Sequence, residues 1–233
     1  MNNALIIFIK NPVKGKVKTR LAATIGDDMA LVIYQKLLKH TLNIVEHVAA
    51  HKFIFFSDAI EESIGYINTP VDKFVQSGND LGEKMNNAFE QLFKNKYKRI
   101  IIIGTDCPGI TAHILEEAFS KLVDNDVVIG PAADGGYYLI GMKQMQNALF
   151  DNIAWSTSSV LHSTIDKCVK NKLSYTILAE LSDVDEEKDL IHFDNSINMK
   201  KNKSDQYDSF GRNSHSNRTS FCRRNQRLFQ KGN

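Results

Sequence analysis

The sequence predicts an α/β layered fold with a mostly parallel central sheet, and three observations carry that expectation. Short apolar runs rich in Ile, Val and Phe recur along the chain. Segments with helical spacing of apolar residues lie between them. Strand and helix patterns follow one another in order, with no internal sequence repeat.

The first run, residues 4–9, is apolar throughout rather than alternating, the pattern of a strand covered on both faces. Runs of the same kind fall at 53–57, 71–76, 100–104, 127–130, 137–142 and 175–178. Between the first two, residues 27–50 put Leu31, Tyr34, Leu38, Val45 and Val48 on one helical stripe. Residues 80–95 do so with Leu81, Met85, Ala88, Phe89 and Leu92. Residues 111–125 use Ile114, Leu115, Ala118, Phe119 and Leu122.

The 233 residues suit one large domain or two small ones, and an apolar fraction of 42% supplies a core. No apolar run approaches the roughly 18 to 20 residues of a membrane helix, so no membrane span is expected. Run 4–9 is too short for a signal peptide, which leads to a cytoplasmic expectation. Cys107, Cys168 and Cys222 are odd in number and widely spaced, against a disulfide framework or a zinc site. Residues 200–233 hold nine Lys or Arg and two Asp, leaving 20 basic and 25 acidic residues for the rest. A mildly acidic body with a basic loop argues for a local anion site and against nucleic acid as the body's partner. From residue 195 onward the chain is rich in Asn, Ser, Lys and Arg. The expected organisation is a domain over 1–194 and a basic, disordered tail over 195–233. The triplet Asn217-Arg218-Thr219 in that tail is a chance match to a glycosylation pattern.

Ligands of open α/β sheets bind beyond the carboxyl ends of the strands, so the residues after each run matter most. The first is followed by KNPVKGKVKTRLA, residues 10–22. A phosphate-binding P-loop needs GxxxxGK[ST], but Lys10 replaces the first glycine and Val17 follows Gly15-Lys16; GxGxxG is also absent. Lys10, Lys14 and Lys16 read equally well as solvated charges. Lys18-Thr19-Arg20 lies just before the predicted helix, where basic side chains and backbone donors converge on anions. Later runs are followed by Gly104-Thr105-Asp106-Cys107-Pro108-Gly109, by Asp134-Gly135-Gly136, and by Asp183-Val184-Asp185. One basic loop with several acidic ones is what phosphate plus a divalent metal requires. Asp106 reads as a metal ligand, with a helix cap, by it or by Thr111, as the alternative. Cys107 reads as a small buried residue. Gly135-Gly136 fits a hairpin turn or a close ligand approach. Asp183 reads as a helix cap.

Six stretches in order, KNPVKGKVKTRLA, GNDLGEKM, GTDCPGI, GPAADGGYYLIGM, WSTSSVL and DVDEEKDL, resemble the bacterial radical-SAM/selenodomain-associated transferase family, type 1. That family belongs to the nucleotide-diphospho-sugar transferase-like superfamily and is similar to the 2-phospholactate and molybdenum-cofactor guanylyltransferases. The resemblance spans residues 3 to 193. It implies a three-layer GT-A, Rossmann-like fold. It implies phosphate contacts from Lys18 and Arg20, a nucleotide-binding loop including Lys10, Gly15 and Thr19, and nucleotide contacts near Asn79, Asp80, Leu81 and Gly82. Asp106 and Asp185 would hold Mg²⁺ or Mn²⁺, with one Asp where glycosyltransferases carry DxD. Asp134, Gly135, Gly136, Trp155, Ser156 and Thr157 would line the side of an unidentified small-molecule acceptor. The expected activity is a metal-dependent transferase, glycosyl or nucleotidyl, using a nucleoside triphosphate or nucleotide-sugar, with Lys18, Arg20 and Asp106 catalytic. The rival is a non-catalytic nucleotide-binding or scaffold protein whose basic tail attracts nucleic acid or a membrane.

Overall fold

The computed structural model describes residues 2–62, 68–191 and 193. All seven expected strands form: β1 Asn3–Ile9, β2 His51–Phe56, β3 Val71–Val75, β4 Arg99–Ile103, β5 Val127–Pro131, β6 Tyr137–Met142 and β7 Tyr175–Ile177. They join one sheet in the order β3-β2-β1-β4-β6-β5-β7. β6 pairs antiparallel with both β4 and β5, and the other pairings are parallel. β2 starts earlier than its apolar run suggests. His51 and Lys52 are polar, yet they pair with Ala4 and Leu5 of β1, because pairing there is a main-chain matter.

Five α-helices occur among the described residues: α1 Thr19–Ile25, α2 Asp27–Val45, α3 Leu81–Lys94, α4 Ala112–Asp124 and α5 Val160–Lys170. The second stops short of residue 50. The first and last were not expected. Seven residues are too few to display a helical stripe. In α5 the buried positions are Val160, Thr164 and Cys168, and Leu161 and Ile165 pack against the same core, so one polar residue interrupts its apolar face. Thr164 satisfies its hydroxyl by donating to the Val160 carbonyl.

Alternation along each strand feeds two cores. Leu5, Ile7 and Ile9 meet Tyr34, Leu38 and Leu42 of α2 and Leu115, Phe119 and Leu122 of α4. Ala4 and Ile6 face Met85, Phe89 and Leu92 of α3 and Cys168 of α5. The result is three layers, helix–sheet–helix. β1 has β2 on one side and β4 on the other, so chain order reverses there and a crevice opens at the strands' carboxyl ends. Residues Met1–Phe193 form one unit; the expected tail, 195–233, lies outside the described residues.

Candidate active site

A cavity of about 640 Å³ fills that crevice. Lys18 is on its wall. It is the N-cap of α1 and holds a left-handed backbone, φ 49° and ψ 43°, an uncommon conformation for a residue with a side chain. Its side chain does not cap the helix. It runs inward, only 3% exposed, and its Nζ lies 2.6 Å from Asp106 Oδ1 and 3.2 Å from Asp185 Oδ1. Burial alone would lower the Lys18 ammonium, but the two facing carboxylates outweigh it and hold the pKa above the ordinary lysine value.

Three contacts deliver these groups. Tyr34 of α2 donates its hydroxyl to the Lys10 carbonyl at 2.6 Å, fixing the root of the basic loop. His40 of the same helix meets the Pro108 carbonyl at 2.9 Å, holding the loop after β4. The chain after β7 continues extended beside β5 through Leu181, and Val184 N–H then donates to the Asp106 carbonyl. Val184 is fully buried, so its neighbours Asp183 and Asp185 face the cavity together, as alternation in an extended segment requires.

The sequence expectation for Asp183 needs correction. It caps no helix; Glu186 and Asp189 form the capping box of the following short helical turn. Asp183 lines the cavity, and its Oδ1 is buried with no hydrogen-bond partner among the described residues. Burial first, then the charges of Asp106 and Asp134, push its carboxyl up to about 7, against the pull of Lys18. The signal was the D-V-D spacing, which puts two carboxylates on one side of an extended chain. Asp106 is not a cap either, since Thr111 caps α4 by accepting from Ile114 N–H.

Of the other candidate residues, Lys10, Thr19, Arg20, Asp134, Gly136, Trp155, Ser156 and Thr157 also line the cavity. Arg20 is exposed, lies in the first turn of α1 rather than before a helix, and makes no ion pair among the described residues. Gly15, Asn79, Asp80, Gly82 and Gly135 are not on the cavity wall. Asp80 caps α3 by accepting from Glu83 N–H, while the Glu83 carboxylate accepts from Asn79 N–H and Nδ2. Gly82 is needed for packing: a Cβ there would lie 2.5 Å from the Trp155 ring. Gly135, φ +89°, turns the β5–β6 hairpin directly against the Ser158 main chain, so the close approach is to protein. Lys14 pairs on the surface with Asp28. Cys107 is buried, and its thiol is pushed up to about 12 by that burial, which suits packing rather than attack.

The donor set fits a hard divalent cation. Asp106 and Asp185 converge on one ammonium and offer only carboxylate oxygen. Among the described residues no three His, Cys, Asp or Glu side chains cluster tightly enough to hold a metal by themselves. Two carboxylates completed by phosphate oxygens and water are the usual provision for Mg²⁺.

Sheet order, the reversed β6 and a charged cleft at the switch point define the nucleotide-diphospho-sugar transferase-like class of α/β domain. Within it, the chain belongs to the DUF2064 family, described as "Uncharacterized protein conserved in bacteria", which it matches over residues 37–157. A candidate nucleotide-diphospho-sugar transferase from Desulfovibrio desulfuricans G20 is 30% identical, superposes with a TM-score of 0.75, and is matched over 83% of its length by 79% of this chain. CMP:2-keto-3-deoxy-manno-octonic acid synthetase, solved with CTP, shares the fold at 10% identity and TM-score 0.54, over 87% of this chain and all of its own. Rv0371c of Mycobacterium tuberculosis H37Rv, solved with manganese, does so at 12% and 0.52, over 82% and 96%. No curated protein matches the sequence.

Proposed function

We propose that the protein is a metal-dependent transferase that takes a nucleoside triphosphate or nucleotide-sugar and passes part of it to an acceptor hydroxyl. One observation carries the reading: a buried lysine bridging two carboxylates from distant segments, with Arg20, which makes no ion pair among the described residues, on the same cleft at the switch point. The manganese complex and the CTP complex of the structural neighbours support it. So do the six ordered stretches that resemble the radical-SAM/selenodomain-associated transferases, to which we assign the chain within its family.

Asp106 and Asp185 would hold Mg²⁺ or Mn²⁺, which when bound neutralises charge on phosphate oxygens. Arg20 and Lys18 meet the remaining phosphate charge as it grows on the departing diphosphate; Lys18 is already desolvated, so its field acts at low dielectric. Asp134, Gly136, Trp155 and Ser156 face the acceptor. The acceptor oxygen attacks either the α-phosphorus, releasing pyrophosphate, or the anomeric carbon, releasing a nucleoside diphosphate. The test is a thermal-shift panel of nucleotides and nucleotide-sugars with and without Mn²⁺, followed by turnover of whichever binds. Asp106→Asn keeps the shape and removes one charge. The expected result is an unchanged fold, weaker Mn²⁺ binding with nucleotide present, and no turnover. A variant with normal Mn²⁺ affinity and rate would refute the assignment.

A further inference from the structure

Lys18 holds the same two carboxylates that the proposed function gives to the metal. Its Nζ lies 2.6 Å from Asp106 Oδ1 and 3.2 Å from Asp185 Oδ1. Exposure is divided unevenly among the three groups. The lysine side chain is 3% exposed and each aspartate side chain 39%, so protein covers the ammonium while the carboxylates stay open to the cavity. Lys18 is the N-cap of α1, so the helix fixes its root and any travel falls to its flexible four-carbon stem.

Charge decides what happens when a second cation comes. Asp106 and Asp185 carry two negative charges. Lys18 alone leaves one of them uncompensated, and a divalent ion alone compensates both. Lysine and divalent ion together leave one positive charge in excess, a repulsion that a shielded cleft strengthens. The other charged groups of the wall, Lys10 and Arg20 against Asp134 and Asp183, offset one another when all are ionised, so they do not absorb the excess. A diphosphate does, and it offers the ammonium new oxygens.

Resting on the metal reading of Asp106 and Asp185, we propose that Lys18 is an internal stand-in for the divalent ion. Its ammonium holds the carboxylate pair in the absence of phosphate, yields it to Mg²⁺ or Mn²⁺, and turns to the diphosphate that enters with the ion. Metal alone must displace the ammonium from two carboxylates, whereas metal with diphosphate moves it to a new partner. Each ligand therefore favours the other, and the chain holds its metal firmly only with the nucleotide.

The experiment titrates Mn²⁺ into wild type and Lys18→Met, followed by electron paramagnetic resonance, first alone and then with pyrophosphate. Alone, Mn²⁺ is expected to bind the variant about ten- to a hundredfold more tightly, since a unit positive charge beside the ion has gone. The sign should then invert: pyrophosphate should bind the Mn²⁺-loaded variant about tenfold more weakly than the Mn²⁺-loaded wild type, one charge-assisted contact having been lost. A lysine with a purely structural role would give no such inversion. The wild type supplies a second measurement that needs no variant to fold. Amine acylation read by mass spectrometry should find Lys18 protected in metal-free buffer, several-fold more reactive with Mn²⁺ bound, and protected again once pyrophosphate is added. A Lys18→Met protein whose Mn²⁺ affinity is no higher than that of wild type would overturn the inference. So would a Lys18 that stays protected with Mn²⁺ bound. Mn²⁺ binding by neither protein, with or without pyrophosphate, would remove the metal site itself and the inference with it.

Discussion

Lys18 and Arg20 stand two residues apart and are held in opposite ways, so their substitutions should differ. Arg20 is exposed and makes no ion pair among the described residues. Arg20→Ala should leave the melting temperature almost unmoved while weakening nucleotide binding by about 1.5–3 kcal/mol, the loss of one charge-assisted contact. Calorimetric titration in Mn²⁺ measures it, and equal affinities would return the loop to an ordinary solvated surface. Lys18 is buried between two carboxylates, with a left-handed backbone that costs on the order of 1–3 kcal/mol and is retained at functional positions. Lys18→Met leaves Asp106 and Asp185 facing each other without a counter-ion. Its melting temperature should fall, and Mn²⁺ should restore much of the loss by supplying positive charge at the same place. A melting temperature indifferent to Mn²⁺ would mean the two carboxylates do not share a cation. Lys18, Asp106 and Asp185 stood out in the sequence because each follows a strand. Asp183 follows the same strand and carried the D-V-D spacing, yet it read as a cap; that it faces the cavity depends on the burial of Val184, which the packing of the late segment decides.

At the level of elements, the strands were legible because an apolar run with both faces covered leaves a plain mark, whereas α5 is a short helix with Thr164 buried in the middle of its apolar face. The stretch GNDLGEKM, expected near a nucleotide, also starts α3: Asp80 and Glu83 satisfy local N–H groups that any helix start must satisfy, while Leu81 lines the cavity. Side chains also fasten strand to strand. Asp126, just before β5, accepts from Ser174 N–H at 2.9 Å and Ser174 Oγ at 2.7 Å, just before β7, with Lys143 at 3.3 Å. Those hydrogen bonds, the Ser174 hydroxyl first, hold the Asp126 carboxyl below its ordinary value. A carboxyl lowered by folding stabilises the protein above its unfolded pKa, and the benefit disappears as pH falls through the folded one. Asp126→Asn should therefore cost about 1 kcal/mol or less at neutral pH, since solvent shares the site. The gap from wild type should close in acid. Urea melts of both proteins at neutral and acid pH measure it, and a gap that widens on acidification would reverse the sign of the linkage.

For the whole molecule, the position of the cleft follows from topology alone: once β1 lies between β2 and β4, the loops after β1 and β4 must share one crevice. The route of the late segment past Asp106 was not legible, because it depends on the pairing of Leu181 with Ala132. Charge is distributed on the same scale. Residues 200–233 hold nine basic and two acidic residues, against 20 basic and 25 acidic in the rest. We propose from composition that the chain beyond Phe193 contributes charge rather than fold. Phe193 itself is buried, so a truncation that spares it keeps that contact. Truncation after Phe193 should leave the melting temperature within about a degree or two, since losing a segment with so few apolar residues removes little buried surface. The same cut reverses the sign of the net charge. The full chain should bind a heparin column and elute with salt, and the truncated chain should flow through, because counter-ion release requires clustered Lys and Arg. Nucleotide affinity should be the same in both, as the groups of the cleft all precede residue 186. A large drop in melting temperature would show that the segment packs on the body, and loss of nucleotide affinity would show that it completes the site.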